Sequence, residues 1–346
     1  MKRWLFRVVL LIVGLVAIIA AYLFIPIKIK PAPEIKWGVT FTKSYAEYLG
    51  LDWQQVYLAT LNDLKIKAVR VGINWDEIEK EPGKFDFVDY DWMFTEAQKR
   101  GVEVLPAVGF KLPRWPECRA PQWAEQLSQK DFEQAQLNIV EATVEHFKKY
   151  QNIKMWQMEN EAFIEWFGDC PEARDSFVRA KVNLVRQLDP LRPIIMTESG
   201  ELSTWLKSSW AADVLGVSLY RRTWNKFYGY ADYHFPPSFY THKAWLAKFL
   251  TPQRSNFCAK KESDLCSKTI ITELQLEAWV PEGVLGQPIE EQLKFIDTDR
   301  FNETIDYARR TGFDTVYTWG VEWWYWLKQK GHPELWEAAK ASFNAP

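Results

Sequence analysis

Two glutamates end short apolar runs in a way that could place a pair of carboxylates in one cleft. Glu161 closes Met155-Trp-Gln-Met-Glu-Asn160-Glu161, and Glu273 closes Ile270-Ile-Thr-Glu273. Cleavage of a glycosidic bond needs such a pair: one acid to protonate the leaving oxygen and one carboxylate opposite it as base or nucleophile. If configuration is retained, the two carboxyl groups stand about 5–5.5 Å apart. The pair then sets its own protonation. An ionised Glu273 disfavours ionisation of Glu161 and keeps it an acid, and once Glu273 is esterified Glu161 can act as base toward water.

The elements that must position this pair follow from the hydrophobic pattern. Strand-like runs are expected at Lys36–Phe41, Ala68–Ile73, Val102–Val108, Ile153–Met158, Pro193–Thr197, Val214–Leu219, Thr269–Thr272 and Thr315–Thr318. Helical patterns fall between and after them, at Trp53–Leu64, Asp91–Arg100, Asp131–Tyr150, Ala173–Leu188, Thr241–Leu250, Glu290–Arg310 and Pro333–Ala341. Eight strands alternating with helices imply an α/β fold with parallel pairing, and eight close into a (β/α)8 TIM barrel. A doubly wound open sheet competes, but no G-x-G-x-x-G turn follows the first strand. In a barrel the active site lies at the C-terminal strand ends. The polar and aromatic residues there are Arg70, Trp75, Trp115, Asn160, Glu161, Glu198, Tyr220, Glu273 and Trp319. The connection Arg221 to Lys268, rich in Tyr, Phe and Pro, is expected to form an insertion on the active-site rim.

Taken in order, these residues resemble glycoside hydrolase clan A, the retaining (β/α)8 glycosidases with catalytic glutamates on strands four and seven. The likeness runs over nearly the whole chain after the N-terminal linker. It implies that Glu161 is the acid/base, that Asn160 binds the sugar 2-hydroxyl and that Glu273 is the nucleophile. It further implies that Arg70 and Tyr220 orient the nucleophile and that Trp319 is a sugar platform. The stretch Asn74 to Phe87 followed by Asp89-Tyr90-Asp91 is similar to the clan's second βα loop. Several clan families carry a His after strand three and another two residues before the strand-six Tyr. Here those places read Ala107-Val-Gly-Phe-Lys-Leu-Pro and Ser218, so the clan is indicated, with cellulase-like families nearest, and the sugar is left open.

The N-terminus is a separate object. Lys2, Arg3 and Arg7 precede an uncharged run from Val8 to Ile27, long enough at about 20 residues to span a bilayer. Residues 1–27 are expected to anchor the protein with the N-terminus inside, 28–35 to form a Pro-containing linker, and 36–346 to form an extracytoplasmic catalytic domain. A cleaved signal peptide is the alternative, although the apolar run is longer than the usual about 7–15 residues. Four cysteines fit an oxidising compartment, with Cys118–Cys170 and Cys258–Cys266 the expected pairs.

Composition narrows the partners. A formal charge of −2, with Lys and Arg scattered among acids, gives no field for nucleic acid. The 19 Trp suit a large core or stacking on sugar rings, and carbohydrate is the expected substrate. Trp115, Trp279, Trp319, Trp323 and Trp324 are candidate platforms, about half of them expected to be packing. His146, His234, His242 and His332 are isolated, and no H-E-x-x-H or G-x-S-x-G occurs, so neither a metal nor an organic cofactor is expected. Glu159 should alternate away from Asn160, Glu277 could contact substrate, and Glu198 reads equally as a solvated loop acid or a subsite ligand. A transglycosylase using the same pair and a non-catalytic sugar-binding protein are the competing functions. Oligomeric state is not legible.

Overall fold

Val-Leu-Gly-Val-Ser-Leu, residues Val214–Leu219, is apolar on both faces and buried throughout, as a strand inside a closed parallel sheet must be. It is β6 of a computed structural model that describes residues 2–251, 258, 265–266 and 268–344. The other barrel strands are β1 Lys36–Phe41, β2 Ala68–Gly72, β3 Glu103–Val108, β4 Trp156–Met158, β5 Ile194–Glu198, β9 Thr269–Gln275 and β10 Thr315–Trp319. They pair in parallel in the closed order β1-β10-β9-β6-β5-β4-β3-β2, the eight-stranded barrel that the alternation predicts.

Inward positions advance in steps of two. The barrel floor is a cluster of Ala68, Leu105, Met155, Ile195, Val214, Ile270 and Tyr317. Gly38 makes room for Tyr317, since a Cβ there would lie 2.8 Å from the ring and 2.7 Å from the Ala68 carbonyl. Two residues further along β2 and β4, the buried polar side chains Arg70 and Gln157 begin the functional layer.

The main helices around the barrel are α3 Trp53–Asp63, α5 Val88–Lys99, α6 Gln129–Phe147, α7 Asp175–Leu188, α9 Ser238–Leu250, α11 Thr298–Arg310 and α13 Glu334–Asn344, with shorter turns α2 Lys43–Tyr48, α4 Trp75–Ile78, α8 Leu206–Ala211, α10 Ile289–Phe295 and α12 Val321–Gln329 between them. The expected single helix Glu290–Arg310 is thus two, α10 and α11. The break falls where Asp297 turns extended and its side chain accepts the Arg300 N–H at 2.9 Å, an N-cap that restarts the helix.

The expected rim insertion is only partly one. A hairpin of β7 Arg222–Asn225 and β8 Gly229–Asp232 stands at the rim, but α9 packs outside the barrel. Much of 252–267 lies outside the described residues. Both expected disulfides, Cys118–Cys170 and Cys258–Cys266, are present. The first helix, α1 Lys2–Phe24, is long and apolar enough to cross a membrane, and none of that stretch is buried in the protein. Its end meets α9, with Tyr22 stacked on His242 at 4.5 Å and Phe24 against Phe239 at 5.2 Å.

Candidate active site

Glu273 reaches the barrel interior through a fault in β9. Strict alternation would point Thr272 inward and Glu273 outward. Instead Val217 pairs with Ile271 and the next residue, Ser218, pairs with Glu273, so Thr272 is an extra residue in the ladder. The same shift appears toward β10, where Val316 pairs with Ile271 and Thr318 with Leu274. Bulges re-aim side chains in this way. The Glu273 carboxylate then sits between two donors: Arg70 Nη1 at 2.7 Å from Oε1 and the Tyr220 hydroxyl at 3.1 Å from Oε2. Arg70 has no exposed surface and spends its remaining donors on Gln157 Oε1 (2.7 Å), Asn160 Oδ1 (2.7 Å) and the Thr272 carbonyl (3.3 Å). This is the planar fork used to fix several acceptors at once.

Glu161 is placed by a different device. Glu159 and Glu161, at φ 56° and 44°, both take the left-handed conformation that non-glycine residues seldom adopt, on either side of Asn160. The turn sends the Glu159 side chain away from the barrel, where it accepts the N–H groups of Phe110 and Lys111 and pairs with Lys181. Gly109 permits this, because a Cβ there would lie 2.6 Å from the Glu159 carboxylate. Asn160 turns inward and is held on three sides: by Arg70, by the Thr197 hydroxyl at 3.2 Å, and through its own Nδ2, which donates to Glu117 Oε1 at 2.7 Å. The Glu161 N–H donates to Thr197 Oγ1 at 2.8 Å, and its carboxylate accepts from Ser218 Oγ at 3.1 Å. Beyond Glu161 the loop is tied down by Lys111, whose Nζ donates to the carbonyls of Glu161 (3.3 Å), Ile164 (2.8 Å) and Phe167 (3.0 Å), and by the Cys118–Cys170 bond.

The electrostatics separate the two glutamates. Burial first, then the neighbouring charges of Glu273 and Glu117, holds the Glu161 carboxyl well above the usual carboxylate range. Glu117 is itself pushed up to about 7, mainly by burial, although Lys111 opposes the shift. Tyr220 is raised well above an ordinary phenol by burial and by Glu273, so its hydroxyl keeps the proton it donates. Two adjoining cavities meet at Glu273. One of about 270 Å³ is lined by Glu161, Glu273, Trp166 and hairpin residues including Trp224 and Tyr228. The other, about 860 Å³, is lined by Glu273, Arg114, Trp115, Glu277, Trp279 and Trp319. A third, about 790 Å³, lies behind β4 against Glu159 and Lys181 and touches neither.

Of the residues expected at the site, Arg70, Asn160, Glu161, Tyr220 and Glu273 come together in one hydrogen-bonded group, and Trp115 and Trp319 line the larger cavity. One face of Trp319 is occupied, because the Arg114 guanidinium lies 4.1 Å from its ring centre and 3.7 Å from that of Tyr45. Trp323 and Trp324 are fully buried, with their indole N–H groups on Gln292 and the Leu276 carbonyl, so they are packing and not platforms. Glu198 is neither solvated nor in a subsite. It is buried, accepts from Ser208 Oγ at 2.7 Å and lines neither cavity of the cleft. Glu277 does reach the larger cavity, held by both Arg114 Nη groups at 2.7 and 3.0 Å. Lys111, Arg114 and Glu117 escaped the sequence reading. All three follow β3 in an irregular loop, and Lys-Leu-Pro-Arg-Trp-Pro-Glu carries charges without a period that would place them.

Comparison with known families gives one match: the sequence profile of glycoside hydrolase family 42, described as beta-galactosidase, covers residues 52–322. Comparison with curated proteins finds no match. Among solved structures, the barrel resembles a GH5_18 protein from Bifidobacterium longum subsp. longum at 15% identity and a TM-score of 0.55, over 83% of this chain and 69% of that one. It also resembles a beta-galactosidase from the Antarctic haloarchaeon Halorubrum lacusprofundi, at 14% identity and a TM-score of 0.56, over 89% of this chain and 57% of that one. A family 10 endo-beta-1,4-xylanase from Gloeophyllum trabeum matches at 14% identity and a TM-score of 0.55, over 93% of this chain and all of that one. At such identities the structures speak for the shared fold, and the profile speaks for the family. The chain belongs to glycoside hydrolase family 42, within the clan A (β/α)8 barrels that cleave β-glycosides with retention by double displacement on two glutamates.

Proposed function

We propose that Glu273 is the nucleophile and Glu161 the acid/base of this β-glycosidase, and that α1 anchors it with the barrel outside the cytoplasm. The observation that carries the assignment is the asymmetry of the pair. Both Glu273 oxygens are fixed by donors, Arg70 and Tyr220, whereas Glu161 is buried with a single hydroxyl partner and its proton favoured. In the first step Glu273 attacks the anomeric carbon while Glu161 gives its proton to the departing oxygen. The ester so formed removes the Glu273 charge, so Glu161, now a carboxylate, stays ionised and takes a proton from a water whose oxygen attacks the same carbon and displaces the Glu273 carboxylate. Asn160 has one amide hydrogen on Glu117 and a second left for the sugar 2-hydroxyl.

Aromatic surfaces on both sides of the pair fit an oligosaccharide or polysaccharide better than a single ring, with Trp115 and the open face of Trp319 on one side, Trp166 and Tyr228 on the other, and Trp224 and Trp279 bordering both cavities. β-Galactosides are the first substrates to try, from the profile's description, followed by mannosides and xylosides. The basic residues before α1 and the two disulfides support an anchored protein facing an oxidising compartment. The test is a panel of activated aryl β-glycosides and polysaccharides with the parent protein, Glu273→Ala and Glu161→Ala. Turnover with retained anomeric configuration, lost in the Glu273 variant and restored by azide in the Glu161 variant, is the expected result. Variants indistinguishable from the parent would refute the assignment, and a sugar transferred to added acceptors in place of water would make the enzyme a transglycosylase.

A further inference from the structure

Helix α9 has two unlike sides. Phe239, Tyr240, Lys243 and Ala247 are buried toward the barrel, whereas Trp245, Phe249 and Leu250 are exposed at 56%, 65% and 54%. Trp245 and Phe249 stack on each other at 5.3 Å and form one apolar ridge. That ridge continues the contact between α9 and α1. Along the stripe Ser238, His242, Trp245, Phe249, the Ser238 hydroxyl accepts the Ile27 N–H at 3.2 Å, His242 stacks on Tyr22 at 4.5 Å, and Trp245 meets Tyr22 edge-on at 5.8 Å. Numbers rise along α9 as they fall along α1, so the two helices run antiparallel.

At about 1.5 Å per residue, Phe249 lies about one turn beyond Tyr22 toward the middle of α1, level with residues near Ile18 and some 9 Å short of the helix end at Phe24. A bilayer that surrounds α1 to its end would therefore also cover the ridge. Amphipathic helices lying in an interface bury their apolar face about 5–10 Å deep, and Trp favours that depth. Lys248, exposed beside the ridge, has a stem long enough to carry its charge to the headgroups.

We propose that Trp245, Phe249 and Leu250 form an interfacial membrane surface that sinks into the outer leaflet beside α1 and sets the orientation of the barrel on the bilayer. This rests on reading α1 as a membrane anchor. The ridge adds a second attachment next to the first, so the cleft faces a fixed direction and does not swing on a tether.

Full-length protein in phosphatidylcholine and phosphatidylglycerol nanodiscs, labelled with an environment-sensitive fluorophore at Phe249→Cys, Leu11→Cys or Val88→Cys, tests this. Unchanged turnover of a soluble aryl glycoside shows that each variant is folded. Spin-labelled lipids should quench the label at 249 with a shallow quencher and the label at 11 with a deep one, and should leave the label at 88, an exposed position on α5, unaffected. Quenching at 11 with none at 249 overturns the membrane surface and leaves the anchor standing. No quenching at 11 removes the anchor reading and this inference with it. Burial at 249 that depends on protein concentration and not on lipid assigns the ridge to a second copy of the chain and overturns the proposal.

Discussion

Arg70→Met asks most of the charge arrangement. Arg70 has no exposed surface and Glu273 very little, and among the described residues their 2.7 Å contact is the one ion pair that either makes. Removing the guanidinium while keeping its volume leaves the Glu273 carboxylate with the Tyr220 hydroxyl alone, and leaves Asn160 Oδ1 and Gln157 Oε1 each short of a donor. Breaking one side of a buried pair costs about 3–5 kcal/mol, because the surviving charge stays in a medium that solvates it poorly. For a domain of this size that is a fall in Tm of roughly 6–10 °C, at about 2 °C per kcal/mol. The second half of the cycle makes the reasoning sharp. In the Arg70→Met background, Glu273→Gln removes the stranded charge and should restore most of the lost stability, although neither variant turns over substrate. Urea unfolding of the parent, the two single variants and the double variant measures all four corners. A cost below about 1 kcal/mol for Arg70→Met, or no recovery in the double variant, would show that the pair is not the organising interaction of the site.

Tyr220→Phe deletes one charge-assisted hydrogen bond to Glu273, worth about 1.5–3 kcal/mol, and steady-state kinetics should show kcat/KM down roughly 10- to 150-fold with the fold intact. Glu117→Gln keeps an acceptor for Asn160 but removes a negative charge that disfavours ionisation of Glu161, so the alkaline limb of the kcat/KM profile should move to lower pH. Since Glu117 titrates at about 7, the displacement should be confined to that limb. Stability should fall as pH rises from about 5 to 7.5: Glu117, Glu201 and Glu322 move from 4.5 to about 7 on folding, so the folded state binds more protons than the unfolded one across that window. The lowered acids, among them Asp91, Asp189, Asp232 and Asp314, titrate below the window and do not offset this. Thermal unfolding at pH 5 and at pH 7.5 reads the sign directly, and a higher Tm at pH 7.5 would contradict it.

The strands were legible because a parallel barrel buries both faces of each one and leaves nearly continuous apolar runs, as in Val214–Leu219, where only Ser218 is polar. Their ends were legible because polar residues return where the barrel opens, which is how Asn160, Tyr220 and Glu273 could be found, whereas Arg70 stood out as a charge within the apolar run of β2. Local irregularity was not. The bulge that turns Glu273 inward breaks the period of two on which a sequence reading relies, and the left-handed turns at Glu159 and Glu161 leave no composition signal. The same holds for Lys111, Arg114 and Glu117, whose partners, the Ile164 carbonyl, the Glu277 carboxylate and the Asn160 amide, are distant in sequence. The continuous pattern through Glu290–Arg310 hid a break that one capping aspartate, Asp297, could have signalled.

The most direct measurement is to trap the intermediate. An activated 2-deoxy-2-fluoro β-glycoside of whichever sugar the panel identifies slows release of the sugar from the enzyme, and peptide mass spectrometry then locates the bond. The account predicts one covalently bound sugar per chain, carried by Glu273 and absent from Glu273→Gln. A sugar bonded to another residue, or turnover proceeding in Glu273→Gln at the parent's rate, would contradict it.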